Sequence, residues 1–332
     1  MNFKDTLISL HNKNKLTQDE AYQALLSIGK GEVNPSQMAS FMTVFLMRDL
    51  EYYELLGFRK AMLEMCISVE IEDFEAIDVC GTGGDGKNTF NISTTSMFVA
   101  AAAGVKIAKH GNYAVSSASG SSNVLEHLGF KFTNDIGKLK NSLEHAGICV
   151  LHAPLFHPSM KHVAPIRKEL GVKTFFNILG PISNPSKPKA QVTGVFDLSI
   201  LRLYGQTFNH CFQQFRIVHS LDVYDEISLT GKFRVKSENS ETEFSPSDLD
   251  LHKQTPDSLF GGSVAECANI LVEVLKGKGT KAQNEVVAAN AGLAIHMKNE
   301  QLSLKDAVAQ AMEIIQSGKA YQNLTKLIEH NS

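Results

Sequence analysis

The segment Gly81-Thr82-Gly83-Gly84-Asp85-Gly86-Lys87-Asn88 carries four glycines in eight residues, between an apolar run (Ile77 to Cys80) and a hydroxyl-rich stretch that opens Asn91-Ile92-Ser93-Thr94. Bare glycines let backbone N–H groups approach a polyanion, and a helix that starts just beyond them aims its own N–H groups and positive dipole end at the same point. The pattern predicts a phosphate cradle. Two familiar motifs nearly fit. Gly81, Gly83 and Gly86 spell the dinucleotide pattern GxGxxG, but the next apolar run, Val105 to Ala108, leads into Lys109 and not into the acid that would meet a ribose. Gly81 to Asn88 also matches a P-loop until its last position, where Asn88 replaces the hydroxyl that holds magnesium. Asp85 would repel phosphate but suits sugar hydroxyls or metal-bound water. The ligand expected is one with both phosphate and sugar, accompanied by magnesium.

Further along, Lys109-His110-Gly111-Asn112-Tyr113 and Ala114-Val115-Ser116-Ser117 run toward Ser121 and a helix expected from about Ser119 to Leu128. The lysine offers a point charge for phosphate, and the serines and free N–H groups offer donors; a solvated serine-rich turn is the plainer alternative. His110 reads either as a recognition residue or as a satisfied core histidine. The third loop, Ala153 to Met160, sets apolar walls around a few polar groups, which suits a small aromatic ligand. His152, His157 and His162 recur at five-residue spacing, which does not share one helix face, so a zinc triad is not expected. Arg167 falls on a predicted helix and is either a two-bond fork for a carboxylate or half of a surface ion pair. Asn177 to Pro185 is too rich in turn formers for a helix or central strand and reads as a hinge. Asp225-Glu226, on a loop after a strand, suits magnesium, which takes one or two carboxylates plus phosphates and water.

The elements that must position these residues change character along the chain. The first ~70 residues read as all helical: Thr17 and Glu20 form a capping box, Asn34-Pro35 starts another helix, and Met38, Phe41, Met42, Phe45 and Leu46 form a stripe that is core or subunit contact. From Ile77 short apolar runs alternate with helices, which predicts an α/β unit with a mainly parallel central sheet flanked by helices. Expected strands are Ile77 to Cys80, Val105 to Ala108, Ile148 to His152, Gln191 to Phe196, Phe215 to His219 and Ile227 to Thr230. Lys236 to Thr242 reads as a turn or exposed hairpin. Helices are expected over Ser93 to Ala103 and, near the end, over about Ser263 to Leu275, Ala282 to Met297 and Leu304 to Gln316, the last two as packing helices without chemistry. In such sheets ligands collect beyond the carboxyl ends of the strands, where the unusual loops lie.

A chain of 332 residues with 43% hydrophobic content can bury one large domain or two smaller ones. A net charge of −3 argues against nucleic-acid binding by bulk electrostatics. Five cysteines without CxxC spacing read as free thiols of a reducing compartment. With neither a signal-peptide core nor an apolar run of ~20 residues, the expectation is a cytoplasmic protein without a membrane segment.

Taken in order, Asp78 to Asp85, Asn91 to Thr94, Lys109 to Asn112, His157-Pro158, Arg167, Asn177 to Pro185 and Asp225-Glu226 resemble the anthranilate phosphoribosyltransferases over most of the chain. The resemblance implies a small N-terminal helical bundle domain, residues 1–70 completed by about 167–187 at a hinge. It also implies a large α/β domain, residues 71–166 and 188–332, and a homodimer formed through the helical domain. The implied reaction joins anthranilate to phosphoribosyl pyrophosphate (PRPP), with two Mg2+ ions, in tryptophan biosynthesis. By resemblance, PRPP meets Gly81, Gly84, Asp85, Thr89, Asn91, Ile92, Ser93, Thr94, Lys109, His110, Gly111, Asn112, Tyr113, Ala114, Val115, Ser116, Ser117 and Ser121. Ser93, Asp225 and Glu226 hold the metal. Asn112 and Arg167 take the anthranilate carboxylate, while Gly81, His110, His157, Met160 and Pro181 line its path; no general base is assigned. The chain departs from the family in Asn123, often Asp, and in Val223, often Gly ahead of the acidic pair. Pyrimidine nucleoside phosphorylases, with KHS-type loops, and a non-catalytic nucleic-acid-binding relative are the rival resemblances.

Overall fold

The structure, a computed structural model, describes residues 2–113 and 119–331. It opens with α1 (Phe3–His11), α2 (Gln18–Gly29), α3 (Pro35–Met47) and α4 (Tyr52–Met65). Local chemistry starts each of them. Asn2 accepts from Lys4 N, Thr17 and Glu20 close the capping box ahead of α2, and Asn34 accepts from Gln37 N with Pro35 in the first turn of α3. A carboxylate is fully buried in this bundle. Glu54 takes two N–H bonds from Arg48, at 2.8 and 2.5 Å, plus the backbone N–H groups of Leu16 and Glu51, so every part of the charge is met.

The apolar stripe of α3 faces inward. Met38, Phe41, Met42 and Phe45 are buried, whereas Leu46 is exposed. Phe41, Phe45 and Phe58 close around Phe175, whose ring centroid lies 4.7 Å from that of Phe58. The bundle therefore shares one core with the segment that leads away from Arg167.

The α/β part follows as β1 (Asp78–Gly81), α5 (Ile92–Ala102), β2 (Ile107–Gly111), α6 (Ser121–His127), α7 (Ile136–Ala146), β3 (Ile148–His152), α8 (Ala153–Phe156), α9 (Ala164–Leu170) and α10 (Phe176–Leu179). Then come β4 (Ala190–Gly194), α11 (Leu198–Phe208), β5 (Gln214–Ser220), β6 (Phe233–Lys236), β7 (Glu241–Phe244), α12 (Val264–Leu275), α13 (Lys281–Lys298), α14 (Leu304–Ser317) and α15 (Ala320–Glu329). One sheet runs β1-β4-β5-β6-β7, with β1, β4 and β5 parallel and the last two strands antiparallel. β2 and β3 form a second parallel pair, joined to the first through the Ile77–Ile107 bridge. α5 is buried almost all round, as a helix in the middle of a layered core must be.

Two expectations fail. Ile227 to Thr230 is not a strand: Leu229 holds φ 59°, which breaks the extended run, and the neighbour of β5 is β6, reached after that detour. The hairpin expected at Lys236 to Thr242 is the β6–β7 turn. Asn177 to Pro185 is also more ordered than its turn formers suggest. α10 and a 3-10 turn, Gly180–Ile182, run through it, because Phe175, Phe176, Leu179 and Ile182 are buried.

Candidate active site

β1, β2, β4 and β5 all deliver their carboxyl ends to one side, and the loops there make the site. The loop after β1 turns on Gly83, Gly84 and Gly86, with φ of 63°, 83° and 72°, a region that only glycine enters freely. Asn88 follows at φ 51°. Asp225 and Glu226 fold back from the loop after β5 onto this turn. Gly83 N donates to Asp225 Oδ2 at 2.6 Å, and Ser93 N, in the first turn of α5, donates to Glu226 Oε1 at 2.8 Å. The helix start is thus partly occupied by a carboxylate, and Ile92 N is turned to Phe90 O, so fewer N–H groups are open to phosphate than the pattern predicts. Ile92 and Thr94 are buried and can offer only main-chain groups.

Burial, then the neighbouring Asp85 carboxylate, pushes Asp225 up to about 7. Burial and Asp225 likewise raise Glu226 well above its ordinary range. Acids gathered against one another in this way have the chemistry of a cation site. Among the described residues no three or more His, Cys, Asp or Glu converge to hold a metal on protein ligands alone. A magnesium ion held by such a pair of carboxylates would complete its shell with phosphate and water.

The second loop is tied to the first. Asn91 Nδ2 donates to Ser119 O at 3.1 Å, and Ser119 Oγ donates to Asn91 Oδ1 at 3.2 Å. Thr89 pairs with Phe260 in an isolated bridge. Gly111 lies so close to Ser121 that an added Cβ would sit 2.7 Å from its hydroxyl oxygen. Asn112 and Tyr113 are exposed; the Tyr113 hydroxyl donates to Glu126 at 3.3 Å. Lys109 is buried, with its ammonium on Val79 O at 2.6 Å, below the loop and not in it. Beside it Asp78, fully buried, accepts from His110 N and Asn184 Nδ2; burial pushes its carboxyl up to about 6 against the pull of Lys109. Ala114, Val115, Ser116 and Ser117 lie outside the described residues.

On the far side, the His110 and His157 rings sit 5.1 Å apart. Both are buried, and among the described residues His110 Nε2 and both nitrogens of His157 make no hydrogen bond of normal geometry. Burial pushes His110 down to about 3, with His157 adding to the effect, and His157 down to about 4, so both are neutral at pH 7. Met160 is half-buried on the turn Pro158–His162, and Pro181 is buried with its carbonyl accepting from Gln191 Nε2 at 2.8 Å. Arg167 makes no ion pair with Asp or Glu among the described residues. Its Nη2 donates to Asn177 Oδ1 at 3.3 Å and its guanidinium lies 5.4 Å from the Phe176 ring centroid, while burial lowers its pKa. A half-buried guanidinium without an anion is a ready carboxylate receptor. Lys173 closes the arrangement, donating from the strap before α10 to Gly84 O.

Several contributors were not legible as site residues. Asn184 bonds Asp78 and Ala108 O, Gly194 leaves room for Asp225, and Asn290, on a helix expected only to pack, reaches the segment after Glu226. Only the Asn-Pro turn around Asn184 carried any local signal.

The fold and the site together define a transferase of the two-domain glycosyl transferase family: the family's helical bundle domain matches residues 4–66 and its a/b domain residues 73–321. Within it the chain belongs to the anthranilate phosphoribosyltransferases, and it is an enzyme of the pentosyltransferase class. It is 50% identical over 327 residues to the anthranilate phosphoribosyltransferase of Cytophaga hutchinsonii, covering 98% of this chain and 100% of that one. The Christiangramia forsetii enzyme is 52% identical, with 98% of each chain covered. The crystal structure of the Thermus thermophilus enzyme superposes with a TM-score of 0.93 at 34% identity over 98% of this chain and 99% of that one. The Saccharomyces cerevisiae enzyme, in complex with PRPP and Mg, gives 0.91 at 27% identity over 99% and 97%.

Proposed function

We propose that the chain transfers the phosphoribosyl group of PRPP to the amino nitrogen of anthranilate, releasing pyrophosphate, in tryptophan biosynthesis, with two Mg2+ ions. The observation that carries this reading is the return of Asp225-Glu226 onto the glycine turn and the start of α5; a half-buried arginine, Arg167, without an Asp or Glu partner among the described residues stands beside it as support. The yeast relative solved with PRPP and Mg supports it.

In the reaction the bond from the anomeric carbon to pyrophosphate breaks, the amino nitrogen bonds to that carbon, and the nitrogen then loses a proton. The carbon gains positive character on the way, so the site must hold both partners in line. Main-chain groups of Gly81, Gly84 and Asn91 to Thr94 cradle the donor, with Asp85 and Thr89 on its hydroxyls. His110 to Tyr113 and Ser121 form the other wall, with Lys109 buried behind it on Val79 O; the expected PRPP contacts of Ala114 to Ser117 lie outside the described residues. Asp225, Glu226 and the Ser93 hydroxyl would hold Mg2+, which would supply positive charge for the pyrophosphate. Arg167 and Asn112 fix the anthranilate carboxylate, and neutral His110 and His157, with Gly81, Met160 and Pro181, line its path without a competing charge. An uncharged arylamine attacks before it loses its proton, so no general base is required of these residues.

The same reading assigns residues 1–70 and about 167–187 to a helical domain that moves against the rest of the chain. Ile8, Leu46 and Met47, exposed on that bundle, support a homodimer through it. The test is the loss of anthranilate fluorescence with PRPP and Mg2+. Decay that stops with EDTA is expected; no decay from folded protein with both substrates intact refutes the reading.

A further inference from the structure

The segment after the acidic pair has an unusual supply of hydrogen bonds. Ile227 is fully buried yet belongs to no strand, so its backbone N–H and C=O need partners that a sheet would otherwise provide. Asn290, 63 residues away on α13, provides them. Its Oδ1 accepts from Ile227 N at 3.0 Å and its Nδ2 donates to Ile227 O at 2.9 Å, so one side-chain amide pairs with the main chain as an adjacent strand would. A further bond from Nδ2 to Val286 O, at 2.8 Å, fixes the amide on its own helix.

Ser220, at the end of β5, acts from the other side. Its Oγ donates to Glu226 O at 2.6 Å and accepts from Ser228 N at 3.2 Å. Toward Ile227 and Glu226 both side chains grip main-chain atoms, while Ser220 Oγ also accepts from Ser228 Oγ at 3.3 Å, and the Glu226 carboxylate is left to face Ser93. Asn290, Ser93, Asp225 and Glu226 also line one small cavity behind that carboxylate.

We propose that Asn290, with Ser220, is a positioning residue that sets the Asp225-Glu226 main chain for the metal-linked pyrophosphate. The inference rests on the reading that these acids hold Mg2+ on PRPP. Groups that orient ligating carboxylates without touching the metal change metal affinity by about 10–100-fold when removed.

The test is calorimetric titration of PRPP into the full-length protein without anthranilate, in Mg2+ and in EDTA, for wild type, Asn290→Ala and Ser220→Ala, each also followed by thermal melting. The expected result is a loss of at least tenfold in Mg2+-dependent PRPP affinity, with binding in EDTA unchanged. A lower melting temperature with wild-type Mg2+-dependent affinity means that the residue only packs, and overturns the proposal. If Asn290→Ala does not fold, Ser220→Ala carries the test, and unchanged affinity there overturns it equally. Wild type that binds PRPP no better in Mg2+ than in EDTA refutes the underlying metal assignment instead.

Discussion

Gly194→Ala tests whether the main chain, and not the carboxylates alone, places the acidic pair. Gly194 ends β4 beside Gly81 of β1, and Asp225 passes over it. A methyl group on Gly194 would lie 1.5 Å from the Asp225 carbonyl oxygen and 2.5 Å from its carbon, with Glu226 N at 3.4 Å. Carbon and oxygen settle at about 3.3 Å, so the loop has to retreat by roughly 1.8 Å. Overpacking of this kind costs about 1–3 kcal/mol, and a misplacement of ~1 Å can cost 10²-fold in rate. The retreat also pulls Asp225 off Gly83 N and Glu226 off Ser93 N, contacts that hold only at their present length. The expected variant is folded, melts a few degrees lower, and needs far more Mg2+ for turnover that is about a hundredfold slower. The assay is anthranilate fluorescence decay over a Mg2+ series, with circular dichroism to establish folding. A folded variant with the wild-type rate and Mg2+ requirement would refute the claim that this contact sets the acidic pair.

Other changes separate the remaining roles. Arg167→Ala is expected to raise KM for anthranilate with little effect on that for PRPP, whereas Asp225→Ala with Glu226→Ala abolishes Mg2+-dependent turnover; an equal loss of anthranilate affinity in both contradicts the division. His110 and His157 are held neutral, at about 3 and about 4 against 6.5 unfolded. Their contribution to stability is therefore complete above pH 6.5 and is lost as pH falls through the folded values, by roughly a factor of ten in the folding equilibrium per histidine per pH unit. In urea unfolding, His157→Gln should remove about twentyfold of the difference between pH 7 and pH 5; an unaltered pH difference means that the histidine charges freely in the native state. Val223 is β-branched at φ 75° and exposed, two residues before the acidic pair, so Val223→Gly should relieve about 1 kcal/mol of backbone strain and raise the melting temperature. A lower melting temperature would show that the valine side chain makes up for its backbone.

The comparison of sequence and fold divides along the range of the interactions. Thr17 with Glu20, Asn34 with Pro35, the glycine turn after β1 and the helix under Arg167 were all readable, because a cap, a positive φ or a helical period is decided within a few residues. The same local reasoning misjudged Ile227 to Thr230, whose apolar composition fits a strand but whose hydrogen bonds go to Ser220 and Asn290. It also set Lys109 in the loop, whereas the ammonium turns inward to Val79 O.

What the chain alone determined was the inventory: phosphate-sized loops, a pair of acids, an arginine and separate histidines, whose pairing as His110 and His157 came only with the fold. Only the tertiary structure decided that Asp225 meets Gly83 and Glu226 meets Ser93, that Arg167 has Asn177 and, among the described residues, no carboxylate, and that a packing helix holds the acidic loop. The reason is physical. Propensity and capping act through neighbours in sequence, whereas these contacts join groups up to 142 residues apart, and their partners are set by strand order and by burial.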